Sequence, residues 1–316
     1  MAFGFVLRRT AMLVATLLVS SFVIFGALYL APGNPIAVLS GGRTLPPESV
    51  AVLEERFHLN DPFLPRYASW VGGVVHGDFG YSIAHRQDVS TLIASRIWTT
   101  AELVLYASLL ILSIGIGLGL LSGLTRGATD TGVLVTTAVS AAIPAFVASI
   151  VLTLIFAVKL GWFPTQRNGV GFLDQVHHLT LPAFALAISS LAIVARVTRA
   201  AVREEFGREH VQTATSRGIP YRKLVRRHVL RNAAIPITTI SGITVASLIA
   251  VAAVVERAFG LNGLGAYLVA AAASKDFAVV QGISLVLVAA FVLVNVLVDV
   301  LYAVLDPRVR LGARAQ

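Results

Sequence analysis

The chain alternates long apolar runs with short polar ones. Six stretches carry no Asp, Glu, Lys or Arg: residues 10–42, 103–125, 131–158, 175–195, 232–255 and 277–298. A hydrocarbon core about 30 Å thick needs roughly 20 apolar residues as helix, and only helices and closed barrels satisfy their own backbone hydrogen bonds inside it. The runs are continuous rather than alternating, so the pattern predicts an all-α polytopic membrane protein with six transmembrane helices and both termini on one side. The apolar part of the first run, residues 11–30, is longer than the core of a signal peptide and is expected to remain as a span.

Breaks and periodicities divide the chain further. Ala31-Pro32-Gly33-Asn34-Pro35 ends the first span. Pro46, Pro47 and Glu48 resemble a helix start, with Val50, Leu53 and Phe57 on one face, and residues 65–76 form a second amphipathic segment carrying Tyr67, Trp70 and Val74. These suit helices lying at the membrane surface or packed over the outer mouth, with partner docking as the sharper alternative. Residues 1–98 are therefore read as the first helix plus a long external segment, and residues 99–316 as a five-helix core. In the second span Gly115, Gly119, Gly123 and Gly127 recur every fourth residue, a small-residue stripe that lets another helix approach closely. Pro144 predicts a kink in the third span. Between the fifth and sixth, Phe259, Asn262, Gly263 and Gly265 mark a glycine-bent loop leading to a short helix, a candidate outer gate because irregular backbone at membrane depth must line a cavity or be buried.

Composition supports the membrane class: 56% of residues are hydrophobic and 13% charged, with a positive mean hydropathy. Cysteine is absent, which excludes disulfides and thiolate metal sites. Of the basic residues, Arg8, Arg9 and Arg126, ten between residues 196 and 231, and three at the C-terminus fall on the side of the termini. The positive-inside rule then makes that side cytoplasmic. Nucleic-acid binding does not fit this hydropathy. Asp299, in the sixth span at a depth similar to that of Arg196 and Arg199 near the inner end of the fourth, is expected to form an ion pair with Arg196 or Arg199. His177 and His178 fall in an outer loop; with no third ligand at helical spacing, no metal site is assigned.

The most basic polar segment flanked by spans is residues 205–236. Helix formers up to Arg217 stop at Gly218, placed as a C-terminal cap, and Pro220 suits the start of a second helix. Lys223, Arg227 and Arg231 then recur every fourth residue beside Arg222 and Arg226, with Leu224, Val225 and Val229 as an apolar flank. Two short helices at an angle suit a knob for a partner's groove; a lipid-facing amphipathic helix accounts for the pattern equally well.

Residues 209–236 resemble the cytoplasmic loop of binding-protein-dependent ABC importer permeases. Gln212-Thr213-Ala214 stands at the family's Glu-Ala-Ala position and Gly218 at its glycine, while His228, Leu230 and Arg231 take the places of Ile, Leu and Pro. These departures are similar to the dipeptide/oligopeptide/nickel branch, as are Leu7-Arg8-Arg9, residues 31–35, Gly77-Asp78-Phe79-Gly80-Tyr81-Ser82, Val279-Val280-Gln281-Gly282, residues 295–302 and Leu305-Asp306-Pro307-Arg308. Asn262-Gly263 replaces the family's Pro-Gly.

The resemblance implies a type I importer permease fold in the bacterial inner membrane, with cytoplasmic termini and a coupling loop over residues 205–235. It implies contact with an ATPase through Glu209, Gln212, Thr213, Ala214, Arg217, Gly218, Ile219, Pro220 and Tyr221, with residues 222–231 supporting the knob against the membrane. Its implied partners are a second permease subunit, two ATPases, an extracytoplasmic binding protein and membrane lipid. ATP and Mg would belong to the ATPases, and no cofactor to this chain, none of whose three lysines follows a glycine as a phosphate loop requires. Peptides are the implied cargo, with nickel or another small solute as the alternative. A motor-independent secondary transporter fits less well, because the span centres carry no ionisable residue and no repeat is evident. An intramembrane enzyme would need a His-Glu-x-x-His helix or paired carboxylates.

Overall fold

A computed structural model describes residues 2–30, 46, 48, 61–82, 84–165, 169 and 171–305, with backbone alone for residues 2–8 and 299–305. The expected breakers at 31–35 and the helix start at 46–57 lie largely outside the described residues. In chain order the elements are α1 (Ala2–Leu30), α2 (Phe63–Val75), the short antiparallel pair β1 (Tyr81–Ser82) and β2 (Gln87–Asp88), α3 (Val89–Ala94), α4 (Ile97–Leu110) and α5 (Ile116–Leu124). After them come α6 (Ala128–Ala142), α7 (Ala145–Leu152), α8 (Phe172–Phe206), α9 (Glu209–Ser216), α10 (Tyr221–Leu224), α11 (Leu230–Ala258), α12 (Leu264–Ala273) and α13 (Phe277–Leu305). Wider π turns at Ile111–Gly115 and Val225–Val229 join α4 to α5 and α10 to α11, and a third, Thr153–Lys159, follows α7.

Among the described residues, five helical segments are long and apolar enough to span a membrane: Arg9–Leu30, Val89–Leu124, Phe172–Phe206, Tyr221–Ala258 and Phe277–Val298. The remaining expected span is broken rather than kinked, because Ala128–Ala142 and Ala145–Lys159 meet at 100°. The cause is local. Ile143 is extended, at φ −88° and ψ 113°, and Pro144 follows at φ −63° and ψ 146° with no N–H to continue the ladder.

The helices group into two compact units, residues 101–261 with those from 293 onward, and residues 2–100 with 262–292. The chain crosses between the units at residue 100 and again at 261, where it returns to the unit that holds its N-terminal segment.

In the unit of residues 101–261, α8 is the central helix and packs on α5, α6, α7 and α11. Its 35 residues tolerate Pro182 and bury Leu179, Leu186, Val194 and Val202, among others, with Leu103, Ile111, Leu248 and Val255 completing the apolar core. The α5–α8 seam is set by glycine. A Cβ added at Gly115 would lie 3.0 Å from the Leu191 carbonyl oxygen; at Gly119, 2.4 Å from Thr198 Cβ and 2.6 Å from the Ala195 carbonyl; at Gly123, 2.9 Å from Val202 Cβ. Gly127 does not belong to this seam: nothing lies within 4 Å of its added Cβ, and its φ of +75° identifies it as the left-handed residue of the turn into α6.

In the other unit, aromatic rings join α1 to α2. Phe22, Phe25 and Tyr29 meet Phe63, with ring centroids 5.2–5.5 Å apart and largely edge-on. The Tyr67 hydroxyl bonds Ser21 Oγ at 2.9 Å. α3, α12 and the first turns of α13 share a core of Val89, Leu92, Ile93, Leu264, Tyr267, Val279 and Ile283.

Substitution separates the packing glycines from their neighbours. Gly119→Ala is expected to lower the stability of the detergent-solubilised protein by about 1–3 kcal/mol, the usual cost of overpacking. Gly117→Ala, on the same helix with open space around it, is expected to leave the thermal midpoint unchanged.

Candidate functional site

The loop after α8 is a helix, a stop and a second helix. Beyond α9, Arg217 caps the turn and Gly218 takes the left-handed conformation at φ +70°. The Gly218 N–H donates to the Thr215 carbonyl at 2.9 Å and the Ile219 N–H to the Ala214 carbonyl at 3.2 Å, the paired bonds of a Schellman stop. Pro220, at φ −54° and ψ 136°, turns the chain into α10.

This knob has two faces. Val211, Ala214, Leu224 and Val229 are buried with Ala201 and Val202 of α8 and Ala233 and Ile237 of α11, and Ile219, Phe206 and Leu230 pack against them. Glu209, Gln212, Thr213, Ser216, Arg217, Gly218, Pro220 and Tyr221 are exposed. Of the nine residues expected to meet an ATPase, then, Ala214 is buried and Ile219 half-buried: the heptad-like spacing of Val211, Ala214 and the helix stop turns them toward the apolar cluster. Tyr221 is 60% exposed, and its ring stacks on Phe206 at 6.3 Å between centroids. Arg222, Lys223, Arg226, Arg227 and Arg231 point outward, so within this chain the knob is held by the apolar flank between the arginines rather than by the arginines themselves. A polar tie adds to it: Asn232 Nδ2 donates to Glu205 Oε2 at 3.2 Å, and His210 Nε2 lies 3.5 Å from the same carboxylate oxygen.

One turn before the knob, α8 carries a charge cluster. Arg199 binds Asp130 through both oxygens, Nε to Oδ1 at 2.7 Å and Nη2 to Oδ2 at 2.9 Å. Arg203 Nη2 donates to Asp130 Oδ2 at 2.8 Å and to the carbonyl of Thr125 at 2.7 Å, and Ser122 Oγ donates to Asp130 Oδ1 at 2.5 Å. The Arg199 fork matches the carboxylate, while Arg203 reaches it through Nη2 alone and also satisfies carbonyls at the C-terminus of α5, where the helix dipole favours a cation. Together they fasten the α5–α6 turn to α8. The carboxylate on Arg199 is Asp130, which the expected pairing did not include, and Arg196 donates to the Thr137 carbonyl at 3.3 Å. The Asp299 side chain lies outside the described residues.

Spacing along the chain assigns Asp130 no partner. The signal was nonetheless present, since it is the sole acidic residue between Glu102 and Asp174 and follows Arg126 directly before an uncharged run. Arg196, Arg199 and Arg203, spaced three and four apart, form one stripe of α8.

At the proposed gate, Phe259 is 2% exposed and packed in the core of the 101–261 unit. The left-handed bend belongs to Gly260, at φ +61°, with the Leu261 N–H donating to the Glu256 carbonyl at 2.9 Å. Gly263, at φ −99° and ψ 171°, is extended backbone that any residue adopts. In the second unit, Gly265 is buried in the first turn of α12, and the Leu264 N–H donates to Thr100 Oγ1 at 2.8 Å. His177 and His178 stand not in a loop but in the second turn of α8, with Asp174 three and four residues before them.

Residues 115–311 match the family described as binding-protein-dependent transport system inner membrane component, and residues 2–104 match the N-terminal family of the same transport systems. The chain belongs to this permease family. Among relatives of the permease, the oligopeptide transport system permease protein AppB of Bacillus subtilis (strain 168) is 34% identical over 97% of this chain and 99% of its own length. The oligopeptide transport system permease protein OppB of Escherichia coli (strain K12) is also 34% identical, over 97% of this chain and 99% of its own. The di/tripeptide transport system permease protein DppB of Pseudomonas aeruginosa (strain UCBPP-PA14) is 32% identical over 97% and 98%. The fold is similar to that of the inward-facing MetNI methionine ABC transporter, at a TM-score of 0.55 and 17% identity over 68% of this chain and 96% of that one. Both the knob and the Asp130 cluster lie in the segment that matches the permease family.

The cluster predicts its own energetics. In the permease, Asp130→Asn removes the charge that both guanidiniums face and is expected to lower the thermal midpoint more than Ser122→Ala does. Combined with Arg199→Gln, its effect should fall short of additive, as for any directly contacting pair, which thermal unfolding of the two single variants and the double variant would measure.

Proposed function

We propose that the chain is one of two pore-forming subunits of an ATP-driven importer of peptides in the bacterial inner membrane. Both termini and the 205–235 loop lie in the cytoplasm, the orientation supported by the concentration of Lys and Arg around that loop. The observation that carries the reading is the knob, which presents exposed polar residues to a partner while its back is continuous with the apolar packing of α8 and α11.

Two ATPase subunits bind ATP and Mg and hydrolyse it, one gripping Glu209, Gln212, Thr213, Arg217, Gly218, Pro220 and Tyr221. Ala214 and Ile219 transmit the contact inward as packing rather than by touching the partner. A rigid knob is what force transfer needs, because differential contact in two states biases the spans only if the contact surface does not yield. An extracytoplasmic binding protein delivers cargo to the outer segments. Peptides are the cargo named for the relatives of nearly equal length, and that supports the same class here.

Gly218→Val tests the coupling. A β-branched residue in the left-handed conformation costs about 1–2 kcal/mol, enough to reshape the stop without unfolding the spans. In the reconstituted complex the variant is expected to keep basal ATP hydrolysis while losing most peptide uptake and most stimulation of hydrolysis by loaded binding protein. Undiminished uptake would remove the knob from the mechanism. Uptake of nickel but not of peptides by the wild-type complex would overturn the cargo while leaving the coupling intact.

A further inference from the structure

Asp174, His177 and His178 lie in the first two turns of α8, and the coupling machinery uses none of them. Residues at i, i+3 and i+4 share a helix face, and one potential ligand atom from each of the three lies within 4.8 Å of those of the other two. Both rings are oriented by carbonyls. His177 Nε2 donates to the Trp162 carbonyl at 2.9 Å, and His178 Nδ1 donates to the backbone carbonyl of Asp174 at 2.9 Å. A carbonyl oxygen only accepts, so these two nitrogens carry hydrogens; in the neutral His177 ring Nδ1 holds a lone pair, whereas His178 Nδ1 also lies 3.3 Å from the Asp174 carboxylate and meets an ion beside it only by giving up its hydrogen, as metal binding at a protonated ligand requires. Metal-ligating histidines are oriented as His177 is, the ring N–H opposite the ligand atom being tied to a carbonyl or carboxylate. Phe163 packs on the His177 ring at 5.0 Å between centroids and restricts its rotation.

We propose that Asp174, His177 and His178 bind a divalent transition ion of the zinc class. Two imidazoles and one carboxylate suit Zn²⁺, Co²⁺, Ni²⁺ or Cu²⁺ and not Mg²⁺ or Ca²⁺, which take oxygen. Bond lengths of about 2.0–2.2 Å set tetrahedral ligand atoms about 3.3 Å apart, a closure within reach of small side-chain rotations. The Asp174 carboxylate, with that of Glu102, which accepts a hydrogen bond from Gln175, offsets the positive end of the helix dipole. Asp174 and His177 are exposed, so an ion reaches the site from solvent, and three protein ligands leave positions for water or an external donor. Because His177 also holds the Trp162 carbonyl, a bound ion ties the turn after the third π segment to the start of α8.

The test uses the assembled transporter, purified without a polyhistidine tag and stripped with chelator, then titrated with Co²⁺ alone. A visible ligand-field band saturating at one ion per copy of this chain, and displaced by Zn²⁺, is expected. His177→Ala, His178→Ala and Asp174→Asn should each weaken binding about tenfold or more, and Zn²⁺ should raise the thermal midpoint of the wild-type protein above its value in chelator while leaving that of each variant at its own value in chelator. On the wild-type protein, Zn²⁺ should shield His177 and His178 from diethyl pyrocarbonate while Mg²⁺ does not. Absence of a saturable band, its persistence in the histidine variants, or rings left unshielded by Zn²⁺ would overturn the assignment.

Discussion

The close approach of α5 to α8 is the constraint from which the rest of the 101–261 unit follows. Gly115, Gly119 and Gly123 bring the α5 backbone against Leu191, Ala195, Thr198 and Val202, and at that distance no side chain fits between the helices. Lipid tails are as apolar as leucine, so this contact holds by dispersion and shape rather than by expulsion of water. Asp130 closes the end of the seam nearest the coupling loop. A carboxylate facing two guanidiniums at low dielectric is a weak argument for stability but a strong one for register, because any slip of α5 along α8 leaves a charge unpaired.

That register bears on function because the knob begins one turn after Arg203. The buried face of α9 and α10 shares an apolar cluster with α8 and α11, and Asn232, Glu205 and His210 tie the same elements by polar contacts. The exposed face makes few internal contacts, among them the stacking of Tyr221 on Phe206 and a bond from Gln212 to the Gly207 carbonyl. Two properties that the proposed coupling role needs, a surface for a partner and a stiff connection to the spans, are thus carried by different positions of one short helix pair. The exposed arginines between residues 222 and 231 complete neither of these, and their placement suits phosphate headgroups or acidic groups of a partner.

Much of this was legible from residue order. Continuous apolar runs gave the spans, Gly218 and Pro220 gave the helix stop and restart, and the fourfold glycine spacing gave three of the four packing positions. Gly127 failed the last because periodicity reports a face only while the helix continues, and the helix had already ended at Leu124. Pro144 gave a break whose angle no sequence pattern specifies. The apparent bend at Asn262-Gly263 moved to Gly260, since both positions offer glycine and only the path of the chain after α11 selects which takes positive φ.

What the sequence by itself determined is what depends on neighbours a few residues apart: hydropathy over a span, the side on which basic residues gather, caps, stops and stripes. That Asp130 meets Arg199 was decided only by the tertiary structure, because distance along the chain says nothing of helix rotation. The same holds for Ala214 and Ile219, which sit in the middle of the recognisable coupling motif and yet face inward. A motif records which residues recur together; burial depends on the surface that the rest of the chain brings to meet them.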